Sequence, residues 1–284
     1  MSEVSAALVR ELRDKTGAGM MDCKRALGET SGDLEKAVVI LREKGLAAAA
    51  KRATRTASEG LVAVVATPNN AVAALVEVNC ETDFVARTPE FAALVDRVAQ
   101  QVREHGPQVD LSAMVTEAVA KTGENVVVRR TTRFEASGNG GLVGSYIHAG
   151  GKIGVLVEVQ GDGAITSAAE CLPLVRDLAM QVAAANPRFV RREEAPTDVI
   201  DGERAIYRAQ AATSGKPEPV IEKMVSGKLE KFYKDTCLLE QPFIKDPDRS
   251  VSAWVADAVK RVGGSLTVKR FARFQLGEQT EQAA

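Results

Sequence analysis

The sequence predicts an α+β protein built on two related, small antiparallel sheets, and three observations lead to that class. Two stretches of the chain repeat each other in the order strand, strand, helix, helix, strand. Residues 1–45 carry apolar positions at three-to-four-residue spacing, which is typical of short amphipathic helices. A segment at about 187–248 has helical periodicity and interrupts only the second repeat. Each repeat therefore predicts one sheet with its helices on one face.

The N-terminal unit, residues 1–45, is expected to form three short helices. Its apolar pattern is interrupted at 16–19 (TGAG) and at 31–33 (SGD). The third helix is expected to end near Gly45, because glycine readily adopts the left-handed conformation of a helix cap. Residues 46–59 are rich in alanine and basic side chains but contain almost no large apolar ones, so they predict an exposed helical extension or linker.

The two repeats are recognised from matching segments. LVEV at 75–78 recurs at 156–159, and residues 111–134 match residues 251–274. We expect the division that these matches imply: core subdomain 1 at 60–140, core subdomain 2 at 141–277 with a helical hairpin inserted at about 187–248, and a disordered tail at 278–284. The alternative for the insert is a helical pair packed against the subdomain.

The composition is that of an ordinary globular protein. Of 284 residues, 26% are charged and 45% apolar, and the net charge of −1 excludes a generally basic nucleic-acid-binding surface. No uncharged apolar stretch of about 18 residues is present to span a membrane. Glu3 and Arg10 lie where a signal peptide requires a basic start and an apolar middle. We therefore expect a cytoplasmic protein with no membrane partner.

The sequence lacks the motifs of common catalytic and cofactor sites. Neither 150–154 nor 214–217 matches a phosphate-binding loop, no GxSxG motif surrounds a serine, and no cluster of ligand-type residues suggests a metal. We expect no enzymatic activity and no cofactor. The four cysteines have neither disulfide-framework nor zinc-site spacing and are expected to be buried thiols: Cys23, Cys80, Cys171 and Cys237.

The turn between the second strand and the first helix of repeat one contains Asp83 and Phe84. Thr88 and Pro89 predict the start of that helix, which places Thr82–Val85 on a loop. A large apolar side chain in a loop usually packs into the core. The second repeat, however, builds the same strand and helix with QGDGAITSAAE at 160–170 and has no such pair. The architecture therefore does not require the pair, and we expect Phe84 to be exposed for a partner.

RNA binding through the strands at 126–134 and 266–274 is a second hypothesis. Their cations and interleaved aromatic side chains could form a strip suited to RNA. The competing interpretation, which we prefer, is alternation on half-buried strands with the cations on the solvent face. The cations concerned are Arg129, Arg130, Arg133, Lys269, Arg270 and Arg273.

Two segments closely resemble signatures of the elongation factor Ts family, which exchanges nucleotide on the translational GTPase elongation factor Tu. They are LVRELRDKTGAGMMDCKRAL at 8–27 and EVNCETDFVA at 77–86; GSYIH at 144–148 also matches, and the resemblance covers essentially the whole chain. It implies an N-terminal module similar to a ubiquitin-associated domain, a two-subdomain core and a helical hairpin inserted in the second subdomain.

The resemblance also implies roles for the turn after the second strand. In relatives this segment enters the GTPase domain of the partner near its bound magnesium ion. Phe84 would wedge between partner helices, and Asp83 would disturb the groups that orient the magnesium. Thr82 and Val85 would shape the loop.

Further contact positions are implied elsewhere. Thr122 and Gly123 match the segment that presses on the phosphate-binding loop of the partner, although an aliphatic residue can stand at position 122 in relatives, so only the backbone role is carried over. The remaining implied positions are four contacts with the GTPase domain and one contact made by the second subdomain. At one of the four, Arg52 stands where relatives can carry lysine. The implied positions are Met20, Met21, Lys24 and Arg52, and His148.

Overall fold

A computed structural model describes residues 4–138, 140–162, 165–166 and 169–279. It combines helices with small antiparallel sheets, so the predicted α+β class is confirmed. Residues 280–284 of the predicted tail lie outside the described part of the chain. Within that part, no helix has the length and apolar character needed to cross a membrane. The helices are α1 (Ala6–Thr16), α2 (Met20–Glu29), α3 (Leu34–Arg52), α4 (Asp83–Ala86), α5 (Pro89–His105), α6 (Ser112–Thr122), α7 (Cys171–Ala185), α8 (Thr197–Ala212), α9 (Glu218–Thr236) and α10 (Val251–Val262).

The two breaks that separate the three N-terminal helices fall where the sequence predicts them. Ser5 caps α1, because its side chain accepts a hydrogen bond from the Leu8 backbone N–H, and Asp33 caps α3 in the same way through Lys36. Gly17 ends α1 with a left-handed φ of 65°. The three helices enclose a small apolar core of their own: Val9, Leu12, Cys23, Ala26, Leu27, Ala37 and Leu41.

The third helix does not end near Gly45, so that prediction is wrong. It continues without interruption to Arg52. Gly45 is buried against α6, where a Cβ would lie 3.5 Å from the Ala120 side chain. The following alanines favour helix strongly, and Ala49 packs against the core of the first sheet. Residues 46–52 are therefore a helical extension that is exposed at 46, 47, 50 and 51, as predicted, and that packs against the first sheet's core through Ala49.

Two three-stranded antiparallel sheets have the same construction. In each, the central strand is the second in sequence, and it is flanked by the first strand and by the strand that follows the helices. The strands of the first sheet are β1 (Glu59–Ala66), β2 (Val72–Cys80) and β3 (Val127–Glu135); those of the second are β4 (Gly141–His148), β5 (Ile153–Gly161) and β8 (Leu266–Gln275). A two-stranded ribbon that the sequence did not predict, β6 (Pro242–Phe243) and β7 (Asp246–Ser250), precedes α10.

Both sheets carry an irregularity in register beside a buried glutamate. The register shifts between Glu77 and Val78 on β2, and between Glu158 and Val159 on β5. Each glutamate accepts a hydrogen bond from an arginine of the flanking strand: Arg130 Nε lies 2.7 Å from Glu77 Oε2, and the equivalent distance from Arg270 to Glu158 is 2.6 Å. Ionic pairing offsets part of the free-energy cost of removing each carboxylate from water.

The same two arginines join one sheet to the other. Arg130 of the first sheet stacks on the Phe274 ring of the second at 4.3 Å, and Arg270 stacks on Phe134 of the first at 4.1 Å. Because the contacts run in both directions, the two sheets are joined by a reciprocal pair of cation–π contacts.

The helices α8 and α9 form an antiparallel pair joined by a turn at 213–217. They have an apolar cluster of their own, which includes Ile200, Ile221 and Phe232. Arg192 anchors the base of the pair through hydrogen bonds to Glu230 and Glu240. The helices α5 and α6 pack on the first sheet, whereas α7 and α10 pack on the second.

Candidate functional site

The segment Thr82–Val85 is not the loop that the sequence predicts, because its last three residues belong to the one-turn helix α4. Thr82 is the N-cap: its Oγ1 accepts a hydrogen bond from the Val85 backbone N–H at 3.4 Å. A threonine at the cap and an aspartate in the first turn are both favourable for a helix start. Asp83 supplies that carboxylate, so the local sequence specifies a helical turn directly after β2.

Phe84 points away from the protein. Its relative exposure is 81%, which confirms the exposed position that we predicted. Its neighbours in the same turn face inward, because Val85 packs against the core of the first sheet and Ala86 is buried. An exposed phenylalanine on a short helix anchored by buried neighbours is an unusual feature, since large apolar side chains are normally withdrawn from water.

The helix α5 that follows has the predicted start. Thr88 Oγ1 accepts from the Phe91 N–H at 3.2 Å, and Pro89 occupies the first helical position. Thr88 also donates to the Val85 carbonyl at 2.8 Å. These bonds attach α4 to α5 and limit the freedom of the turn that carries Phe84.

Glu124, which the sequence did not indicate, connects this turn to the predicted contact segment Thr122–Gly123. Its carboxylate accepts hydrogen bonds from the backbone N–H groups of Glu81 and Thr82, both at 3.0 Å, and from Thr82 Oγ1 at 2.6 Å. Gly123 ends α6 with a left-handed φ of 74°, which turns the chain so that Glu124 reaches β2. The bonds span more than 40 positions, so no local pattern in the sequence identifies them.

A second set of bonds lies beside the first. The Asn125 backbone N–H donates to Glu81 Oε1 at 2.6 Å, and the Asn125 side chain donates to the Arg55 carbonyl at 2.7 Å. Arg55 Nη1 lies 3.4 Å from the same Glu81 carboxylate. Arg52, the last residue of α3, accepts a hydrogen bond from the Arg55 N–H through its carbonyl, which places this predicted contact residue near the site.

Asp83 is available for a new partner. Its carboxylate pairs with Arg87 at 2.8 Å, but the Arg87 side chain is 80% exposed. An exposed pair of this kind contributes at most about 1 kcal/mol and is readily exchanged for another contact.

A surface cleft of about 410 Å³ separates α4 from the turn between β4 and β5. Asp83 and Arg87 line one side, and Gly150 and Lys152 line the other. His148, at the end of β4, immediately precedes that turn, and its Nδ1 lies 3.1 Å from the hydroxyl oxygen of Tyr146. The structure thus places His148 close to the turn that faces α4.

The predicted N-terminal contact residues lie on α2. Met20 and Met21 are both exposed at the start of α2, where they line a shallow groove together with Lys24. The turn between α1 and α2 also approaches the site. Gly17 lies so close to the Lys121 side chain, next to Thr122–Gly123, that a Cβ at this position would collide with it.

The arginine side chains of the basic strands, 126–134 and 266–274, already make contacts within the protein. Besides the two inter-sheet arginines, Arg133 donates to the Arg103 carbonyl at 2.8 Å and Arg273 to the Ala183 carbonyl at 3.3 Å. Arg129 donates to the Glu278 carbonyl, while Lys269 is exposed. RNA binding through these strands is therefore not favoured, because most of the guanidinium groups already have protein partners.

The thiols match their prediction, since all four cysteines are buried. Burial raises the pKa of Cys80, at the end of β2, to about 12, and the nearby Glu124 carboxylate adds to the shift. In the described ranges, no cluster of three or more His, Cys, Asp or Glu residues could hold a metal ion.

Comparisons with known proteins agree on one family. The family model described as Elongation factor TS matches residues 81–278. The chain is 47% identical to each of three proteins named Elongation factor Ts, from Trichlorobacter lovleyi, Clostridium botulinum strain Alaska E43 and Symbiobacterium thermophilum. These alignments cover 98%, 98% and 99% of this chain and 94%, 95% and 95% of the respective relatives.

Proposed function

The chain belongs to the elongation factor Ts family, and therefore to the translation elongation factors, and we propose that it is the guanine nucleotide exchange factor of elongation factor Tu. It binds the GDP form of that GTPase, displaces the magnesium ion and releases GDP, so that GTP can bind. The observation that carries this proposal is the 81% exposure of Phe84 on a turn that is otherwise held firmly by hydrogen bonds. The proposed place of action is the cytoplasm.

Exchange of this kind requires no covalent step. A GTPase holds the phosphates of GDP through backbone N–H groups, a lysine and Mg²⁺. Removing the ion and reshaping the phosphate-binding loop weakens that electrostatic grip, so GDP dissociates faster. The coupling between two ligands is reciprocal. Nucleotide therefore lowers the affinity of the GTPase for the exchange factor in the same ratio as the exchange factor lowers its affinity for nucleotide. Incoming GTP therefore releases the exchange factor, and the chain acts without being an enzyme in the chemical sense.

The turn after β2 supplies the proposed magnesium-displacing contact. Phe84 enters between partner helices as an apolar anchor, and a single buried aromatic residue can supply much of an interface's binding energy. Asp83 leaves its exposed pair with Arg87 and approaches the groups that orient the magnesium. Thr82 caps the turn and Val85 packs it against the first sheet, so both act by shaping it.

The remaining contacts surround this anchor. Thr122 and Gly123 press on the phosphate-binding loop through their backbone, and the Thr122 hydroxyl is itself bonded to the Ala118 carbonyl at 2.8 Å. The other proposed contacts with the GTPase are Met20, Met21, Lys24, Arg52 and His148. In this proposal the first three helices form the ubiquitin-associated-like module, the two sheets with their helices form two homologous subdomains, and α8 and α9 form the hairpin inserted in the second.

The test is release of fluorescent GDP from elongation factor Tu with and without the chain. We expect Phe84→Ala to reduce the stimulated release about 30-fold, equivalent to about 2 kcal/mol, because the variant lacks the apolar anchor. The matched control is Val39→Ala, which also shortens an exposed apolar side chain but in the N-terminal unit. A Phe84→Ala variant that stimulates release as well as the unaltered chain would rule out the wedge.

The RNA alternative has a separate outcome. A chain that binds RNA through several cations would lose affinity steeply as salt rises, and it would leave GDP release by elongation factor Tu unchanged.

A further inference from the structure

We infer that Glu124 is a positioning residue that holds the α4 turn and the Thr122–Gly123 turn together as one docking unit. The inference deepens the proposed exchange function and rests on it, because both turns are proposed contacts with the GTPase. Glu124 need not touch the partner in order to act. Its effect comes from fixing the direction in which Phe84 is presented.

The hydrogen bonds of Glu124 account for this role. One carboxylate oxygen accepts both the Glu81 and the Thr82 backbone N–H groups, while the other accepts the Thr82 hydroxyl. Bonds to an ionised acceptor are stronger than bonds between neutral groups. The Glu124 backbone N–H in turn donates to Thr122 Oγ1 at 3.2 Å, so a continuous series of bonds links the end of β2 to the end of α6.

The second copy of the repeat provides an internal control. Gly264 stands at the position equivalent to Glu124, so the second copy has no carboxylate at this point. The neighbouring bond is retained: Ser265 N–H donates to Asp162 at 2.8 Å, as Asn125 N–H donates to Glu81. Folding of the repeat thus requires the neighbouring bond but not the carboxylate of Glu124. That carboxylate occurs only in the copy that presents Phe84.

An exposed apolar side chain needs such a constraint. Water favours conformations in which the ring folds back onto the protein surface, and those conformations cannot enter a partner. The affinity of a protein for its partner falls in proportion to the fraction of molecules in the competent conformation. We expect Glu124→Ala to lower that fraction about tenfold, so the concentration of the chain that gives half-maximal GDP release rises about tenfold. The maximal rate, measured at saturation, stays nearly unchanged.

The experiment measures GDP release at increasing concentrations of Glu124→Ala, Glu124→Gln and the control Glu104→Ala. Glu104 is an exposed glutamate paired with Arg103 and has no bond to either turn. The glutamine variant keeps one carbonyl oxygen and should show a smaller shift than the alanine variant. In the Phe84→Ala background, Glu124→Ala should add little, because a positioning residue has no effect once the residue that it positions is gone.

Amide hydrogen exchange of the free chain provides a second measurement that does not involve the GTPase. The Glu81 and Thr82 amides should exchange about tenfold faster in Glu124→Ala, since both lose their acceptor while the rest of the molecule keeps its protection. Unchanged hydrogen exchange at these amides would overturn the inference. So would half-maximal GDP release by Glu124→Ala at the same concentration as the unaltered chain requires. Failure of the unaltered chain to accelerate GDP release would instead refute the proposed exchange function.

Discussion

The turns that follow β2 and β5 begin from equivalent strands and end in equivalent helices, yet they are built differently. The first is one residue longer and divides its hydrogen bonding between Glu81, which accepts the Asn125 N–H, and Thr82, which caps α4. In the second, Asp162 does both, because its carboxylate accepts the N–H groups of Ile165 and Ser265. In the described part of the shorter turn, one carboxylate of its own, that of Asp162, supplies both bonds, whereas the longer turn also depends on Glu124.

The apolar side chains of the two turns follow from this difference. Ile165, which aligns with Val85, is only 1% exposed and packs over Gly161, where the first copy has Cys80. Phe84 has no aromatic or other large apolar counterpart, because the second copy has Ala164 there, a residue outside the described part of the chain. The comparison teaches that the scaffold needs an inward apolar residue in each turn, and that the outward phenylalanine is an addition.

The largest expected effect is the difference in stability between variants of the two apolar residues, Ile165 and Phe84. Ile165→Ala should lower the free energy of unfolding by about 3 kcal/mol, because it removes buried atoms and leaves a cavity. Phe84→Ala should change it by less than about 0.5 kcal/mol, because the ring is exposed. Urea denaturation of the two variants measures both values. A large loss of stability in Phe84→Ala would mean that the ring packs against the protein in solution, and the contrast between the turns would disappear.

A smaller effect is expected where the helices after the two turns begin. Thr88→Ala should cost about 1 kcal/mol, since it removes the side-chain cap of α5. The N-cap position of α7 is Glu170, which aligns with Glu90 and not with Thr88, and that side chain makes no capping bond. Glu170→Ala is therefore the matched control and should leave the unfolding midpoint in place. Equal losses in the two variants would contradict the assignment of Thr88 as a cap.

The smallest effect is expected at Cys80 and only at alkaline pH. Burial raises its pKa to about 12, so the folded chain holds a neutral thiol while the unfolded chain ionises at the ordinary value. The contribution of this pKa difference to the free energy of unfolding is complete below about pH 8.5 and is lost as pH rises toward the folded-state pKa. Replacement by alanine should flatten the decline of stability above that pH. An identical decline in Cys80→Ala and in the unaltered chain would show that this thiol does not contribute.

Several features could be predicted because short-range chemistry decides them. The capping residues and glycines mark the breaks of the N-terminal helices, and Thr88 with Pro89 marks the start of α5. Phe84 was predicted to be exposed by comparing the repeats, since the second copy folds without it. The prediction for the third helix was wrong because Gly45 looks like a helix end in the sequence, whereas in the structure it is a buried position inside α3, in ordinary contact with α6.

Other features depend on residues that are distant in the chain. The arginines of the two basic strands look alike in sequence, but only the pairing of strands shows that Arg130 and Arg270 each bind a buried glutamate and a ring of the opposite sheet. Glu124 is inconspicuous for the same reason. Nothing near it in sequence shows that it meets the amides at the end of β2.

The order of amino acids alone determined the α+β class, the duplicated pattern of strands and helices, and the presence of an extra phenylalanine in one copy. Periodicity, capping and comparison of the repeats act over a few positions or by direct alignment, so they can be recognised without coordinates. Only the tertiary structure decided which charged groups are buried and which turn is held by hydrogen bonds from a distant segment. Those outcomes depend on desolvation and on hydrogen bonds between segments that the fold brings together, so no local pattern encodes them.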